Sequence, residues 1–343
     1  MSYRFRLRPG RRLLAALFAC AASGALAQGS VDVLCSVPIA WCEAAAAAFL
    51  KDTGVTASLT VKSASEALAQ ITAERASPKH DVWFGGGGHL RAAQLALTDE
   101  YRSPALEELH EWAVRIAEAS AWHAVGVYAG VLGIAYNAEV VAKKTLAEPH
   151  CWMDLVRPEY RDQLEMPNPA ASDAGYVAVA TLVQIFGEDR AFDVLKGIHR
   201  NARTYARTTP GAVRAAARGE VAVAVGYLHD GATEAANGFP VRLVAPCEGS
   251  GQEVGAMSIV KGARNLQNAR RFYDWALTPA AQKLAVDTKQ FVLPSNRATP
   301  APPGVPTSAE ARLVALDFVK YGNTVEHARL LERWEREVAA SPR

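Results

Sequence analysis

Short apolar runs alternate with helical patterns along most of the chain. Residues 31–34, 55–61 and 81–84 form brief apolar runs with β-branched side chains, which predicts strands. Between them, residues 42–50 and 64–74 have the composition and spacing of helices. This alternation is typical of α/β layers around a largely parallel sheet.

The middle and the end of the chain continue the same alternation, so we expect a second α/β unit. Two units also fit a chain of 343 residues better than a single core does. The last helix is expected to follow a proline-rich stretch at 294–306. Further strands are predicted at 125–128, 132–136, 163–166, 221–225, 241–245 and 254–260, and further helices at 174–186, 210–218, 266–276, 279–288 and 308–338.

The first 27 residues have the pattern of an export signal. Five arginines precede an apolar stretch at 13–22, and none of these first 27 residues is acidic. The stretch is too short to span a bilayer, and it leads into the small-residue sequence Ala25-Leu26-Ala27. We therefore predict a signal peptide over residues 1–27 and a periplasmic location. A retained membrane anchor is the alternative, and Cys20 stands in a weak match to a lipoprotein signal.

The charge of the remaining chain argues against a nucleic-acid partner. The whole sequence has 37 basic and 35 acidic residues, but without the five leader arginines the balance is 32 against 35, a net charge of −3. A mildly acidic protein without a basic run has no electrostatic reason to bind DNA or RNA.

Four cysteines remain after the leader, which suits an oxidising compartment. None of them forms a C-x-x-C pair or a Cys/His metal spacing, which disfavours zinc and redox catalysis. Four cysteines allow three connectivities. Pairing of Cys35 with Cys42 and of Cys151 with Cys247 is the arrangement we expect.

Polar residues and glycines lie at the ends of several predicted elements. Most follow a strand, Ser172 precedes a predicted helix, and Glu253 precedes the strand predicted at 254–260. Ligands of open α/β sheets bind at the carboxyl ends of strands, so these positions are candidate binding residues. Each has a structural alternative, because serine and aspartate also cap helices and Glu253 is also compatible with a solvated position. The candidates are Ser36, Gly86 and Gly87 of the run 85–88, Ser172, Asp173, Tyr227, His229, Asp230 and Glu253.

The chain has no recognisable enzyme signature. It contains no G-x-S-x-G sequence, the glycine run lacks the Lys-Ser/Thr of a phosphate-binding P-loop, and no G-x-G-x-x-G opens the first α/β unit. We therefore predict no catalytic residue, no cofactor and no resident metal.

Several sequence pieces, in this order, are similar to one family. Together they resemble periplasmic solute-binding proteins of ABC importers, in the subgroup that includes ferric-ion-binding and hexose-phosphate-binding proteins. The pieces are Asp81-Val82-Trp83-Phe84-Gly85-Gly86, the run 130–137, Cys151-Trp152-Met153-Asp154-Leu155, Pro167-Asn168-Pro169 and Leu293-Pro294-Ser295-Asn296.

The resemblance implies a type II fold, in which two α/β lobes close over a small solute in a central cleft. Lobe 1 would comprise residues 28–127 plus 254–295 and lobe 2 residues 128–253. The remaining segment, 296–343, would pack on lobe 2, and the hinge would cross at 125–128 and 252–256. A membrane permease is the implied partner, and the protein is expected to be a monomer.

The resemblance also separates possible ligands. Ferric binders carry two consecutive tyrosines, because phenolates suit ferric iron, whereas this chain has Tyr227-Leu228-His229-Asp230. Ser36, His229, Asp230 and Glu253 are instead similar to the hexose-phosphate binders, which implies a phosphorylated sugar. Asp173 stands where related proteins usually have glycine, so an amine-bearing phosphonate or an unphosphorylated polyol stays open. A ferric-iron binder and an exported phosphoester hydrolase are the alternative functions.

Overall fold

The computed structural model describes residues 1–2, 29–208, 210–307, 309–315 and 317–343. All but the first two residues of the predicted signal peptide, including Cys20, lie outside the described residues. Within the part that is described, no helix is long and apolar enough to cross a membrane.

The described residues form a mixed α/β structure with helices between most strands. The α/β fold class predicted from the sequence is confirmed. The strands are β1 (Ser30–Cys35), β2 (Thr56–Val61), β3 (Val82–Phe84), β4 (Thr98–Asp99), β5 (Val125–Asn137), β6 (Leu164–Pro167), β7 (Ala202–Ala206), β8 (Val223–Tyr227), β9 (Val241–Val244), β10 (Gln252–Val260) and β11 (Leu293–Pro294).

Several helices that the sequence did not predict join the predicted ones, among them α4 and α7. Short 3₁₀ helices cover Pro104–Glu108, Trp152–Val156 and Pro158–Tyr160, and a π-helix covers Glu335–Ala339. The α-helices are α1 (Ile39–Thr53), α2 (Ala64–Ala73), α3 (His89–Gln94), α4 (Glu111–Ala119), α5 (Ala138–Lys143), α6 (Asp173–Phe186), α7 (Glu188–Asn201), α8 (Gly211–Ala217), α9 (Leu228–Ala236), α10 (Leu266–Ala276), α11 (Pro279–Asp287), α12 (Phe318–Tyr321) and α13 (Thr324–Trp334).

The sheet follows the order β2-β1-β3-β10-β5-β8-β6-β7. The expectation of a largely parallel sheet is wrong, since β10 runs antiparallel to β3 and β5, and β5 runs antiparallel to β8. Parallel pairs occur at the two ends, β2-β1-β3 and β8-β6-β7. The antiparallel centre arises because β5 and β10 carry the chain between two parallel units.

Strand β5 is one element of 13 residues, whereas the sequence predicted two strands separated near Gly130. Every residue of β5 is buried. A strand covered on both faces reads as a continuous apolar run, and here Gly130 lets neighbouring side chains approach closely without ending the strand. Its first half pairs with β10 and its second half with β8, so β5 joins the two parts of the molecule.

Two large hydrophobic cores lie on either side of this strand. The first includes Phe49, Phe84 and Phe272, and the second includes Trp152, Phe192 and Trp334. We call the part that contains β1, β2, β3 and α1 lobe 1, and the part that contains β6, β7, β8, α6 and α9 lobe 2. The residue boundaries given above stay a prediction.

The predicted helix at 308–338 is wrong in its first part. Residues 309–315 are not helical, Ser308 and Leu316 lie outside the described residues, and α12 and α13 follow. Helix α13 is fastened to lobe 2 by charge, because Arg329 and Arg333 both contact Glu188 at 2.7–2.8 Å. These arginines lower the pKa of Glu188 to about 2.

Both expected disulfides are present. Cys35 is bonded to Cys42 in lobe 1, and Cys151 is bonded to Cys247 in lobe 2. The second bridge joins residues 96 positions apart, whereas the first closes a ring over a separation of seven.

Candidate ligand-binding site

Ser36 lies at the carboxyl end of β1 and is held by β3. Its backbone N–H donates to the Phe84 carbonyl at 2.8 Å, and its hydroxyl accepts a hydrogen bond from the indole N–H of Trp83 at 2.9 Å. The helix-cap alternative for Ser36 is not realised, because the residue before α1 is Pro38 and no side chain caps that helix. The Ser36 hydroxyl accepts from Trp83 and has its own proton to donate to a further acceptor.

The glycine run 85–88 forms a loop packed against Ser36. Gly85, Gly86 and Gly88 have φ values of 74–90°, which favour glycine. A Cβ at Gly86 would lie 2.9 Å from the Ala64 Cβ and 3.1 Å from the Ser36 Cβ, whereas a Cβ at Gly87 would meet nothing within 4 Å. Gly86 is therefore required by packing, and Gly87 borders open space.

Helix α1 begins next to Ser36 with its positive end uncompensated. No side chain caps it, and its first turn contains no acidic residue. Helices α6 and α9 of lobe 2 begin differently, with Asp173 and Asp230 in their first turns. Since an acid at a helix N-terminus balances the macrodipole, α1 is the helix of these three that retains its attraction for an external anion.

In lobe 2, His229 and Glu253 meet at Gly130. A Cβ at Gly130 would lie 2.8 Å from His229 Cε1 and 2.9 Å from Glu253 Oε1, so glycine is what lets both side chains reach this point of β5. The expectation that Glu253 precedes its strand is wrong. It lies inside β10 and pairs with Gly130, because the strand begins two residues earlier, at Gln252.

Tyr227 and Asp230 complete this group of lobe 2. Tyr227 ends β8, is 1% exposed, and its ring stacks on the His229 ring at 5.4 Å. His229 Nε2 is 3.8 Å from Asp230 Oδ1. Burial lowers the pKa of His229 and raises the pKa of Asp230, so burial disfavours the charged form of each group.

The pKa of Glu253 departs strongly from its ordinary value. Burial, followed by the nearby charges of Asp230 and Asp173, raises its pKa to about 8. The cation nearest to Asp230, Arg214, also lies 3.5 Å from Glu234 and is thus shared with another acid. We use the word junction for the point of β5 at which His229 and Glu253 approach Gly130. Lobe 2 therefore places carboxyl oxygens at the junction with little compensating positive charge.

Ser172 and Asp173 stand at the start of α6. Ser172 is the residue before the helix, but its side chain makes no capping hydrogen bond. Asp173 is exposed, and it lies near enough to raise the pKa values of Glu253 and Tyr227. The structure thus brings Asp173 towards the same group of side chains from a third element.

Tyr128 connects the residues of the two lobes, and the sequence did not single it out as a site residue. Gly86 N–H donates to the Tyr128 hydroxyl at 3.2 Å, and the charge of Glu253 helps burial raise the pKa of Tyr128. The ring fits because β10 has Gly255 opposite it, where any Cβ would collide with the ring. The signal available in the sequence was a tyrosine in the otherwise apolar strand predicted at 125–128.

Unpartnered buried polar atoms concentrate at this junction. Among the described residues, the Tyr227 hydroxyl, His229 Nδ1, Asp230 Oδ2 and both amide atoms of Gln252 have no hydrogen-bond partner of good geometry. The Tyr227 hydroxyl lies near the Glu253 carboxyl without meeting that geometry. Buried polar groups are normally satisfied, so such a concentration marks a place where another molecule supplies the partners.

Two further features lie outside this group. A cavity of about 490 Å³ opens beside β2 and α2, lined by Asp32, Lys62 and Glu74 among others, and it contains none of the candidate residues. His89 lies next to the glycine loop, and both of its ring nitrogens have hydrogen-bond partners, the Ser258 hydroxyl and the Gly85 carbonyl. Burial lowers the pKa of His89 to about 4.

Metal-ligand geometry is found elsewhere in the part of the chain that the structure describes. One trio of donors lies within 4.8 Å, formed by Cys151, Cys247 and Glu248, and both cysteines are in a disulfide. The carboxyl groups of Asp230 and Glu253 do not form such a trio with a third His, Cys, Asp or Glu among the described residues.

Comparison with known proteins gives consistent matches over most of the chain. A protein-family profile described as bacterial extracellular solute-binding protein matches residues 76–321. An uncharacterised protein of Haemophilus influenzae is 38% identical over 332 residues, which is 95% of each chain.

Two solved structures are similar in fold. The periplasmic binding protein AfuA of Actinobacillus pleuropneumoniae, with exogenous fructose 6-phosphate bound, has a TM-score of 0.80 and 35% identity, covering 92% of this chain and 100% of that one. Iron-bound HitA of Pseudomonas aeruginosa has a TM-score of 0.75 and 22% identity, covering 88% and 98%. At the latter identity the likeness concerns the fold alone.

Proposed function

The chain belongs to the bacterial extracellular solute-binding proteins, and from this membership we propose that it carries a phosphorylated sugar or a similar small organophosphate. The family resemblance seen in the sequence is confirmed, as is the periplasmic location. The protein is the solute-binding component of an ABC transporter, with a small-molecule ligand and a membrane permease as partners.

The observation that carries the proposal is the set of unpartnered buried polar atoms where β5 passes between the lobes. Tyr227, His229 and Asp230 supply such atoms from lobe 2, and Gln252 adds its amide. A ligand with several hydroxyl groups satisfies atoms of this kind, because each hydroxyl both donates and accepts. A purely apolar ligand would leave them unsatisfied, at a cost of about 1–3 kcal/mol per group.

The phosphate is assigned to lobe 1. Ser36, the glycine loop and the acid-free start of α1 provide hydroxyl and N–H donors near one another. Such donors bind a phosphate through hydrogen bonds and the helix dipole without needing an arginine or lysine. Asp173 and Asp230 repel a phosphate, whereas Glu253, with a pKa of about 8, keeps its proton near neutral pH. The sugar end is therefore assigned to lobe 2. The exogenous fructose 6-phosphate described for AfuA supports a ligand of this class.

Ferric iron is the weaker candidate. Tyr227 is followed by Leu228, which is buried in the core and offers no second phenolate. The nearby carboxyl groups of Asp230 and Glu253 form no compact donor trio among the described residues. A hydrolase is also disfavoured, because His229 and Asp230 are 3.8 Å apart and no serine nucleophile is hydrogen-bonded to His229 in the part that is described.

Mass spectrometry of the solute released from denatured protein, purified without dialysis, tests the proposal. We expect an organophosphate with the mass of a sugar monophosphate. Release of iron or of a solute without phosphorus would contradict it. Incubation with glucose 6-phosphate and fructose 6-phosphate should yield no inorganic phosphate. Steady release that disappears in His229→Ala would establish the hydrolase instead.

A further inference from the structure

The disulfide between Cys35 and Cys42 encloses the loop that carries Ser36. Cys35 is the last residue of β1, and Cys42 lies in the first turn of α1. Both cysteines are buried, with exposed fractions of 1% and 0%. The bridge therefore ties the strand end directly to the helix start, with only residues 36–41 between its two ends.

The enclosed loop is packed against the glycine loop. A Cβ at Gly85 would collide with the Val37 side chain, and one at Gly86 would lie 3.1 Å from the Ser36 Cβ. The Trp83 indole adds its hydrogen bond to Ser36 from the strand that precedes the glycines. A displacement of residues 36–38 thus changes the whole surface that donates hydrogen bonds from lobe 1.

We propose that the Cys35–Cys42 bridge is a positioning element of the ligand site, and that it holds Ser36 and the start of α1 in the arrangement that binds the anionic end of the ligand. The ligand's identity in this inference rests on the proposed function. A loop that must become ordered on binding lowers affinity, because the ordering entropy opposes association. A covalent ring of this size restricts the loop in advance.

The second bridge provides a matched comparison within the same chain. Cys151 precedes the 3₁₀ helix Trp152–Val156, and Cys247 follows β9. Next to Cys151, Trp152 donates its backbone N–H to the Glu248 carboxylate and its indole N–H to the Gly249 carbonyl. This bridge closes a long loop, so its loss should lower the stability of the fold without changing the geometry of the site.

Two double variants of the full mature protein separate these roles. We expect Cys35→Ala/Cys42→Ala to bind glucose 6-phosphate and fructose 6-phosphate at least tenfold more weakly than the parent in isothermal titration. Cys151→Ala/Cys247→Ala should bind within about twofold of the parent although its unfolding midpoint falls. Equal affinity of the first variant and the parent, or equal losses in both variants, would overturn the inference.

Amide hydrogen exchange of the ligand-free proteins tests the same inference without a ligand. Breaking the first bridge should accelerate exchange at residues 36–41 and 85–88 more than elsewhere, and breaking the second should not. If the parent binds neither hexose phosphate, the proposed function fails, and the exchange pattern alone decides: local acceleration supports the inference and unchanged exchange overturns it. Should the alanine pair not fold, Cys35→Val/Cys42→Ala, which refills part of the buried volume, replaces it.

Discussion

The two lobes present opposite chemistry to the junction between them. Lobe 1 contributes the Ser36 hydroxyl, the glycine loop and a helix whose first turn has no acid. Lobe 2 contributes the carboxyl groups of Asp230 and Glu253. Under the proposed function, a ligand with an anionic end and a hydroxyl-bearing end binds with its anion on lobe 1.

The difference comes from how each lobe treats its helix ends. In lobe 2, Asp173 and Asp230 occupy the first turns of α6 and α9, which stabilises those helices and cancels their attraction for anions. In lobe 1, α1 leaves its end free of acid. The first-turn acids of lobe 2 stabilise their own helices. The acid-free start of α1 leaves the positive end of the helix dipole available to attract an anionic ligand.

We expect the largest effect from a change in the lobe 1 face, which consists of Ser36, the glycine loop 85–88 and the start of α1. Gly86→Ala forces a Cβ to within 2.9 Å of the Ala64 Cβ at a φ of 74°. A strained backbone and overpacking together should cost about 2–4 kcal/mol of unfolding free energy, and hexose-phosphate affinity should fall with the displaced loop. Chemical denaturation and titration measure both. Gly87→Ala, where a Cβ meets nothing, is the control for stability, and an equal loss there would refute the packing argument.

We expect the next largest effect from a change in the lobe 2 face, which consists of His229, Asp230 and Glu253. Such a change leaves lobe 1 unaltered. Asp230→Ala should weaken binding of glucose 6-phosphate by about 1.5–3 kcal/mol, the range of a hydrogen bond to a charged group. Any binding of inorganic phosphate, which lacks the sugar, should be unchanged. Asp193→Ala, at an exposed acid of α7, is the control. If Asp230→Ala weakened the binding of glucose 6-phosphate and of inorganic phosphate equally, the two lobes would not bind separate ends of the ligand.

A smaller effect concerns the proton on Glu253. Its pKa is raised from 4.5 to about 8, so the folded state keeps this proton to a higher pH than the unfolded chain does. The resulting stabilisation is complete below about pH 4.5 and is lost as the pH rises through about 8. Glu253→Gln should therefore flatten the decline of unfolding free energy between pH 5 and 8 by more than about 1 kcal/mol.

The same variant also tests the ligand. Above pH 7 a phosphate ester keeps one charge state, since its second pKa is about 6. Affinity of the parent for glucose 6-phosphate should then fall towards pH 9, and that of Glu253→Gln should fall less. Identical pH profiles of stability and affinity in the two proteins would show that Glu253 does not titrate in this range.

We expect the smallest effect from Asp173, whose charge distinguishes the lobe 2 face from the proposed phosphate-binding face of lobe 1. Asp173 is exposed, so its repulsion of a bound phosphate is screened by water. Asp173→Asn should tighten hexose-phosphate binding by no more than about 1 kcal/mol. A marked loss of affinity in titration would instead show that Asp173 contacts the ligand, as an ammonium group on the ligand would require.

The strand ends were the part of the site that the sequence could predict. Ser36, Tyr227 and the glycine loop follow β-rich runs, and a strand followed by a turn is a local signal that needs no tertiary information. Both disulfides were also expected, because few pairings of four cysteines are possible.

The remaining features depend on contacts between distant segments. The sequence predicts two strands, 125–128 and 132–136, on either side of Gly130. The role of Gly130 depends on His229 and Glu253, which lie 99 and 123 residues later in the chain. Tyr128 has a role only because β10 lies between β5 and β3, and the loop after β3 supplies Gly86. The antiparallel centre of the sheet likewise follows from which strands pair, and that is not encoded in the pattern of any single strand.

A crystal structure of the protein with glucose 6-phosphate or fructose 6-phosphate tests the central claim most directly. The account predicts the phosphate within hydrogen-bond distance of Ser36 and of the N–H groups of the glycine loop or α1, with sugar hydroxyls on His229, Asp230 and Glu253. A phosphate placed among the lobe 2 carboxyl groups, or a ligand bound away from the junction, would contradict it.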